Sequence, residues 1–312
     1  MRFFTESKWY LAVAFVIYII LKALFASNIA SPYIQQIIQY AIIIALASLG
    51  LNIIYGFTGQ FSLGHAAFYG IGAYTSAYLT KTLGIDNIFY YIPVLMACSV
   101  ISGFIGLLIG IPILKLKDDF LAIATLGFGT LVRVFFDNSD KISDVLGGSR
   151  GFVGIPKITN LELVLFFTLI IIIITRYMIN SRFGLFLRCI KDDELAASSI
   201  GINTTNMKLL AFTYGCMLAG FGGAFYANLY TFLHPSNFDI LKSIDFLIIV
   251  IIGGMGNIMG TIFASVIWVG FIEGLRIVLP SEILDIRWVV IPILLIFIMM
   301  WRPYGIMVKK PK

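Results

Sequence analysis

The stretch LNIIYGFTGQFSLGHAAFYGIGAY, residues 51–74, holds Asn52, Thr58, Gln60, Ser62 and His65 among five glycines. These side chains donate and accept hydrogen bonds, but no catalytic pair or metal-ligand set stands out among them. Their chemistry is recognition, either of a polar solute or of backbone groups on a neighbouring helix. A histidine standing alone, as His65 does, does not decide between the two. The three cysteines, Cys98, Cys189 and Cys216, are scattered singly with no C-x-x-C pair, which argues against zinc and against a disulfide framework. Two charged pairs fall at helical spacing, Arg133 with Asp137 and Glu273 with Arg276. At spacings of three and four residues such side chains can neutralise one another, a simpler use than a proton relay.

The elements that must carry these groups are membrane spans. The chain of 312 residues is 60% hydrophobic and 12% charged, with a mean hydropathy of +0.97. Soluble domains are about one quarter charged. Runs such as LVLFFTLIIIIIT, residues 163–175, are continuous rather than alternating, so they predict an all-α, polytopic helical bundle and not a β-barrel. Apolar runs between breaks give ten expected spans, near 9–26, 34–56, 61–80, 88–113, 119–136, 161–179, 207–230, 244–258, 261–280 and 287–301. The third and eighth are the weakest, being short or rich in glycine. The first run is read as a retained helix rather than a signal peptide.

Orientation follows from Lys and Arg. With the N-terminus inside, thirteen basic residues fall on the inner side and five in the outer loops, which predicts two cytoplasmic termini. The same bias accounts for the net charge of +6 without any nucleic-acid partner. The expected organisation is a single membrane domain over residues 1–312, with a long outer loop near 137–160 and a long inner loop near 180–206. A faint internal echo also exists. DFLAIATLGFG from Asp119 resembles DFLIIVIIGGMG from Asp245, and GIGAY at 70–74 resembles FGGAF at 221–225. Many transporters are built from related halves.

Hydrocarbon cannot satisfy a polar group, so the 51–74 stretch must be buried against protein or line a cavity. A broken or re-entrant segment around Gly56 and Gly59 would turn Asn52, Thr58, Gln60, Ser62 and His65 toward a translocation path or gate. Gly64, Gly70 and Gly72 are read instead as close-packing positions. In the inner loop, Asp192, Asp193 and Glu194 suit a first helical turn, no breaker occurs before Ile200, and Gly201 supplies a stop. A short helix over about 191–201 is therefore expected outside the membrane. Ala196 and Ala197 give it little area to bury in lipid but allow close docking on a partner protein.

DELAASSIG, from Asp193, resembles the coupling-helix signature of ABC importer permeases, with Ala196, Ala197 and Gly201 at the matching spacing and Leu195 in place of the usual acid. LNIIYGFTGQFSLGHAAFYGIGAY, GGSRGFVGIP (147–156), IKDDELAASSIGIN (190–203), GGMGNIMG (253–260) and WRPYGIM (301–307) follow in the order found in one family. From about Leu46 onward the chain is similar to the M-type permease subunit of high-affinity branched-chain amino acid ABC importers. Urea and short-amide permeases share much of the pattern.

The resemblance implies a bacterial or archaeal cytoplasmic membrane protein that pairs with a similar H-type permease. It implies two ATP-binding cassette subunits docked on the inner loop through Asp193, Glu194, Ala196, Ala197 and Gly201. An extracytoplasmic binding protein would deliver leucine, isoleucine or valine, and Gly147, Gly148, Arg150 and Gly151 would contact it. The chain has no G-x-x-x-x-G-K-[ST] loop, so ATP and magnesium would be used by the partner subunits and no cofactor by this one. An ion-coupled secondary transporter is the rival class and would rest on intramembrane acids such as Glu273. A membrane enzyme is a more distant one.

Overall fold

Ser31 and Pro32 open the first continuous described segment with a helix start: the Ser31 hydroxyl accepts from the Ile34 N–H, and proline at the first helical position loses no bond. The computed structural model describes residues 31–116 and 118–278, with residues 22, 293, 296, 300 and 305. The expected first and tenth spans and both termini fall almost wholly outside the described residues.

Within residues 31–278, ten α-helices are described, in order: α1 (Pro32–Leu51), α2 (His65–Thr82), α3 (Ile88–Ile113), α4 (Asp118–Asp137), α5 (Leu161–Asn180), α6 (Arg182–Asp192), α7 (Glu194–Ser199), α8 (Thr204–Tyr230), α9 (Ile240–Gly253) and α10 (Ile258–Val278). α1 runs without interruption into a π-helical turn, Asn52–Phe57. Among the described residues, six helices are long and apolar enough to cross a membrane: α1 with its π turn, α3, α4, α5, α8 and α10. α2 and α9 are not among them, and these are the two expected spans rich in glycine or short. The 14 residues of α9, at about 1.5 Å each, reach about 21 Å, short of a hydrocarbon core of roughly 30 Å.

α8 is the central helix and packs on α2, α3 and α1. Glycine makes that approach possible. A Cβ on Gly72 of α2 would run into the Gly220 carbonyl of α8, and one on Gly223 into the Tyr69 carbonyl. The two segments of the sequence echo, 70–74 and 221–225, thus meet at one crossing. The glycines read as packing positions do pack: Gly64 abuts the Thr125 carbonyl, and Gly70 the rings of Phe136 and Phe238.

The long segment before α5 is folded rather than loose. Short 3-10 turns lead into β1 (Phe152–Val153), which pairs antiparallel with β2 (Phe232–Leu233) after α8. Asn228, fully buried, ties this ladder to α2: its amide donates to Pro156 O at 3.0 Å and to Thr80 Oγ1 at 3.3 Å, while Ser76 Oγ donates to it at 2.7 Å. Since α5 spans the bundle, the ladder and the α6–α7 pair lie at opposite ends.

The expected helix over 191–201 is corrected here. Asp193 is extended, with φ −157° and ψ 112°, and its Oδ1 accepts from Leu195 N at 2.8 Å and Ala196 N at 3.0 Å. It is therefore the cap between two helices and not a first-turn residue of one, because a short acid outside the helix reaches its free N–H groups. α6, upstream, ends with Lys191 and Asp192, the first two residues of that segment. The stop is where Gly201 predicted it. With φ at +88°, Gly201 N bonds to Ser198 O and Ile202 N to Ala197 O, the paired bonds of a Schellman turn.

Candidate functional site

At the α6–α7 end, two interruptions of helix meet. The first is the π turn and the linker 58–64 that follows it; Gly59, at φ +74°, turns the chain, and Gln60 N closes on Ile54 O at 3.1 Å. The second is the bend between α9 and α10, where Gly254 and Gly256 also have positive φ. Asn52 joins them. Its Oδ1 accepts from Gly256 N at 2.8 Å, and its Nδ2 donates to Thr261 Oγ1 at 2.8 Å and Asn257 O at 3.1 Å. Gly56 must be glycine because a Cβ there would strike the Asn52 side chain and would lie 2.5 Å from Gly256 N. π turns recur at functional sites, since they free carbonyls from the regular ladder.

All five residues of the predicted polar cluster are buried, but they divide by partner. Asn52 is the tie just described. Thr58 bonds back to Ile54 O within its own turn. His65 Nε2 lies 2.8 Å from Ala47 O, and the ring stands edge-on to Phe246 at 5.6 Å. Gln60 has neither amide atom paired, and the Ser62 hydroxyl is also without a partner. His65 Nδ1 is unpaired as well; buried polar atoms are almost always paired, and Gln60 and Ser62 are the members with no side-chain bond spent within this chain.

α6 reaches this junction from outside. Lys191, in its last turn, donates through Nζ to the Gly56 carbonyl at 2.6 Å. Burial there pulls its pKa below the ordinary lysine value, an effect partly opposed by Asp192. Beyond Asp193, α7 is held by Glu194, whose carboxylate lies 2.5 Å from Lys208 Nζ of α8. Ala197 is turned inward and buried, whereas Ala196 is exposed. The outward face is apolar: Leu195 is 75% and Ile200 73% exposed. Gly201 meets nothing and serves the turn.

At the opposite end, Gly147, Gly148 and Gly151 all have positive φ. A Cβ on Gly151 would lie 2.7 Å from Leu233 O across the ladder. Their shared property is backbone shape. Arg150 is exposed at the rim of the same turn. The charged pairs expected within spans form: Arg133 Nε lies 4.0 Å from Asp137 and its Nη1 3.6 Å from Asp239, and Arg276 lies 3.7 Å from Glu273. Tyr33 also donates to Glu273 at 2.8 Å. Among the described residues no group of His, Cys, Asp and Glu could hold a metal ion.

Sequence reasoning did not find Lys191 as a link to Gly56, nor Gly256, Asn257 and Thr261 as partners of Asn52. These contacts join residues 135 or more apart. The only local signal was glycine density at both breaks.

Comparison with known proteins matches residues 33–300 to the family described as branched-chain amino acid transport system, permease component. The chain belongs to that family. It is 30% identical to the high-affinity branched-chain amino acid transport system permease protein LivM of Salmonella typhimurium, over 92% of this chain and 74% of that protein. LivH of the same organism is 24% identical, over 84% of this chain and 90% of its own. BraD of Pseudomonas aeruginosa is also 24% identical, over 88% and 95%. No solved structure matches the chain. In this permease, then, the α6–α7 pair and the two helix breaks form one contiguous unit.

Proposed function

We propose that the chain is the membrane-spanning permease subunit of an ATP-driven importer of branched-chain amino acids. In this reading it has ten spans and two cytoplasmic termini, lies in the cytoplasmic membrane of a bacterium or archaeon, and pairs with an H-type permease. Two ATP-binding cassette subunits dock on α7, and an extracytoplasmic binding protein docks near Arg150 and the β1–β2 ladder. The reading is supported by the family and carried by one observation: a six-residue helix outside the spans with Leu195 and Ile200 facing outward. Exposed aliphatic side chains on a capped, anchored helix suit a groove on a partner. Ala197 and Glu194 hold α7 on this chain and Asp193 and Gly201 set its ends, while Leu195, Ala196 and Ile200 make the contact.

The test is co-purification from native membranes in mild detergent. Tagged wild type is expected to bring down an ATPase and a second permease. Leu195→Ser with Ile200→Ser, which leaves the caps and the Glu194–Lys208 pair intact, is expected to reduce the ATPase about tenfold while keeping the second permease. Equal recovery of the ATPase with the variant would sink the assignment. Recovery of the chain alone, from membranes that still transport, would favour the ion-coupled class.

Gln60 and Ser62 are the residues we assign to the path or gate, because their polar atoms are buried and unspent. Gln60→Leu with Ser62→Ala is expected to cut uptake severalfold with little loss of thermal stability, since no bond within the chain is broken. Normal uptake by this variant would remove them from the path. Uptake of leucine against urea separates the amino acid reading from the amide one.

A further inference from the structure

At the end that carries the β1–β2 ladder, a cavity of about 440 Å³ opens between α1, α2, α8 and the start of α9. Tyr40, Tyr69, Tyr226, Asn237, Lys242 and Asp245 line it. Lys242 and Asp245 are an adjacent opposite pair, 3.4 Å apart, with side chains only 18% and 22% exposed. The Lys242 ammonium donates to the Tyr40 hydroxyl at 2.7 Å and lies 5.2 Å from that ring's centre. Tyr69 is buried, lines the cavity, and has no partner for its hydroxyl. Asp239 shares the cavity but is committed: it caps α9 through Leu241 N at 3.0 Å and pairs with Arg133. A smaller recess of about 70 Å³ continues past Tyr40 and Asp245 to Trp268, whose indole N–H is likewise unpartnered.

We propose that this cavity binds the zwitterion of an apolar α-amino acid, its carboxylate on Lys242, its ammonium on Asp245, and its side chain against the tyrosine rings and Ile272. The inference rests on the importer reading and specifies a site within it. A half-buried charge pair is costly to desolvate further unless the incoming group restores its interactions. A zwitterion does so, because its two charges lie close together and can oppose those of Lys242 and Asp245 in antiparallel order. A lone cation or anion would satisfy one member and strand the other, and a neutral amide would satisfy neither fully. The volume falls within the range of small-molecule sites, and the lining is mixed, with tyrosine rings, Leu241 and Ile272 beside the polar Ser236, Asn237, Lys242 and Asp245. No position in this cavity belongs to the 51–65 cluster, so the site is distinct from the helix junction.

The test uses the whole importer, purified with its partners in lipid nanodiscs without the binding protein. Equilibrium binding of radiolabelled leucine is compared with 4-methylpentanoate, which keeps the carboxylate and side chain but lacks the ammonium. Wild type is expected to prefer leucine by about tenfold or more. Asp245→Asn is expected to erase that preference by weakening leucine alone, an outcome that general loosening of the fold would not give. Tyr69→Phe keeps the packed ring and is expected to weaken leucine about threefold. Equal weakening of both ligands by Asp245→Asn would overturn the site. So would absence of leucine binding to wild type whose liposomes still take up leucine with ATP, while the permease reading would stand. Liposomes that take up urea but not leucine would overturn both.

Discussion

Replacing Asn52 with alanine is expected to lower the stability of the purified permease by about 3 kcal/mol or more, read as a fall in its thermal midpoint. Three costs add. The Gly256 N–H loses its acceptor in a buried setting, at about 1–3 kcal/mol. The two bonds donated by Nδ2 disappear, and a void is left where the amide filled the space over Gly56. Thr261→Val is the control. It removes one partner of Asn52 but leaves the Gly256 bond, so a loss of about 1 kcal/mol is expected. A similar loss from both variants would mean that the Gly256 bond is not what joins the breaks. The consequence is local as well as global. Without Asn52, the π turn and the α9–α10 bend are no longer tied, and amide exchange should accelerate at both.

The reason Asn52 carries so much explains what the sequence could and could not disclose. Glycine density, the polar residues of 51–65 and the demand that lipid-facing backbone be satisfied together locate an interruption of helix. They do not locate its partner, because Asn52 and Gly256 lie 204 residues apart and nothing periodic links them. Local rules worked where their partners are local. Gly201 is the stop it was read to be, and Arg133–Asp137 and Glu273–Arg276 pair at helical spacing. Asp193 shows how a correct local rule can be placed one residue out. An acid before three helix-formers suits both a first turn and a cap, and only its extended backbone decides for the cap. Lys242 and Asp245 hid for a different reason. Three residues apart near a span's end, they look like an ordinary surface pair, and the wall of tyrosines that makes them a cavity comes from three other helices. Fold class was therefore legible from composition, and the α7 stop from one glycine. The polar junction and the cavity are products of tertiary contact.

Lys191→Met is expected to leave the ATPases bound and hydrolysing ATP while lowering leucine uptake per ATP by about tenfold to a hundredfold. The estimate follows from one charge-assisted hydrogen bond of about 1.5–3 kcal/mol between Nζ and the Gly56 carbonyl. That bond is the described polar contact between α6 and the π turn, and methionine keeps the length of the side chain but cannot donate. A displacement of α7 would pass through the Asp193 joint to α6, from Lys191 to Gly56, and through Asn52 to Gly256 at the foot of α9. The same α9 carries Lys242 and Asp245 near its other end. Contiguity alone does not establish coupling, and the variant supplies the missing evidence. Because α7 keeps its Glu194–Lys208 anchor and its Leu195–Ile200 face, docking is preserved and only transmission is lost. Lys191→Arg, which restores a charged donor on a longer side chain, is expected to recover part of the uptake. Full uptake by Lys191→Met would show that α6 moves the membrane helices by packing and not through this bond. Loss of the ATPases themselves would place Lys191 in the docking surface instead.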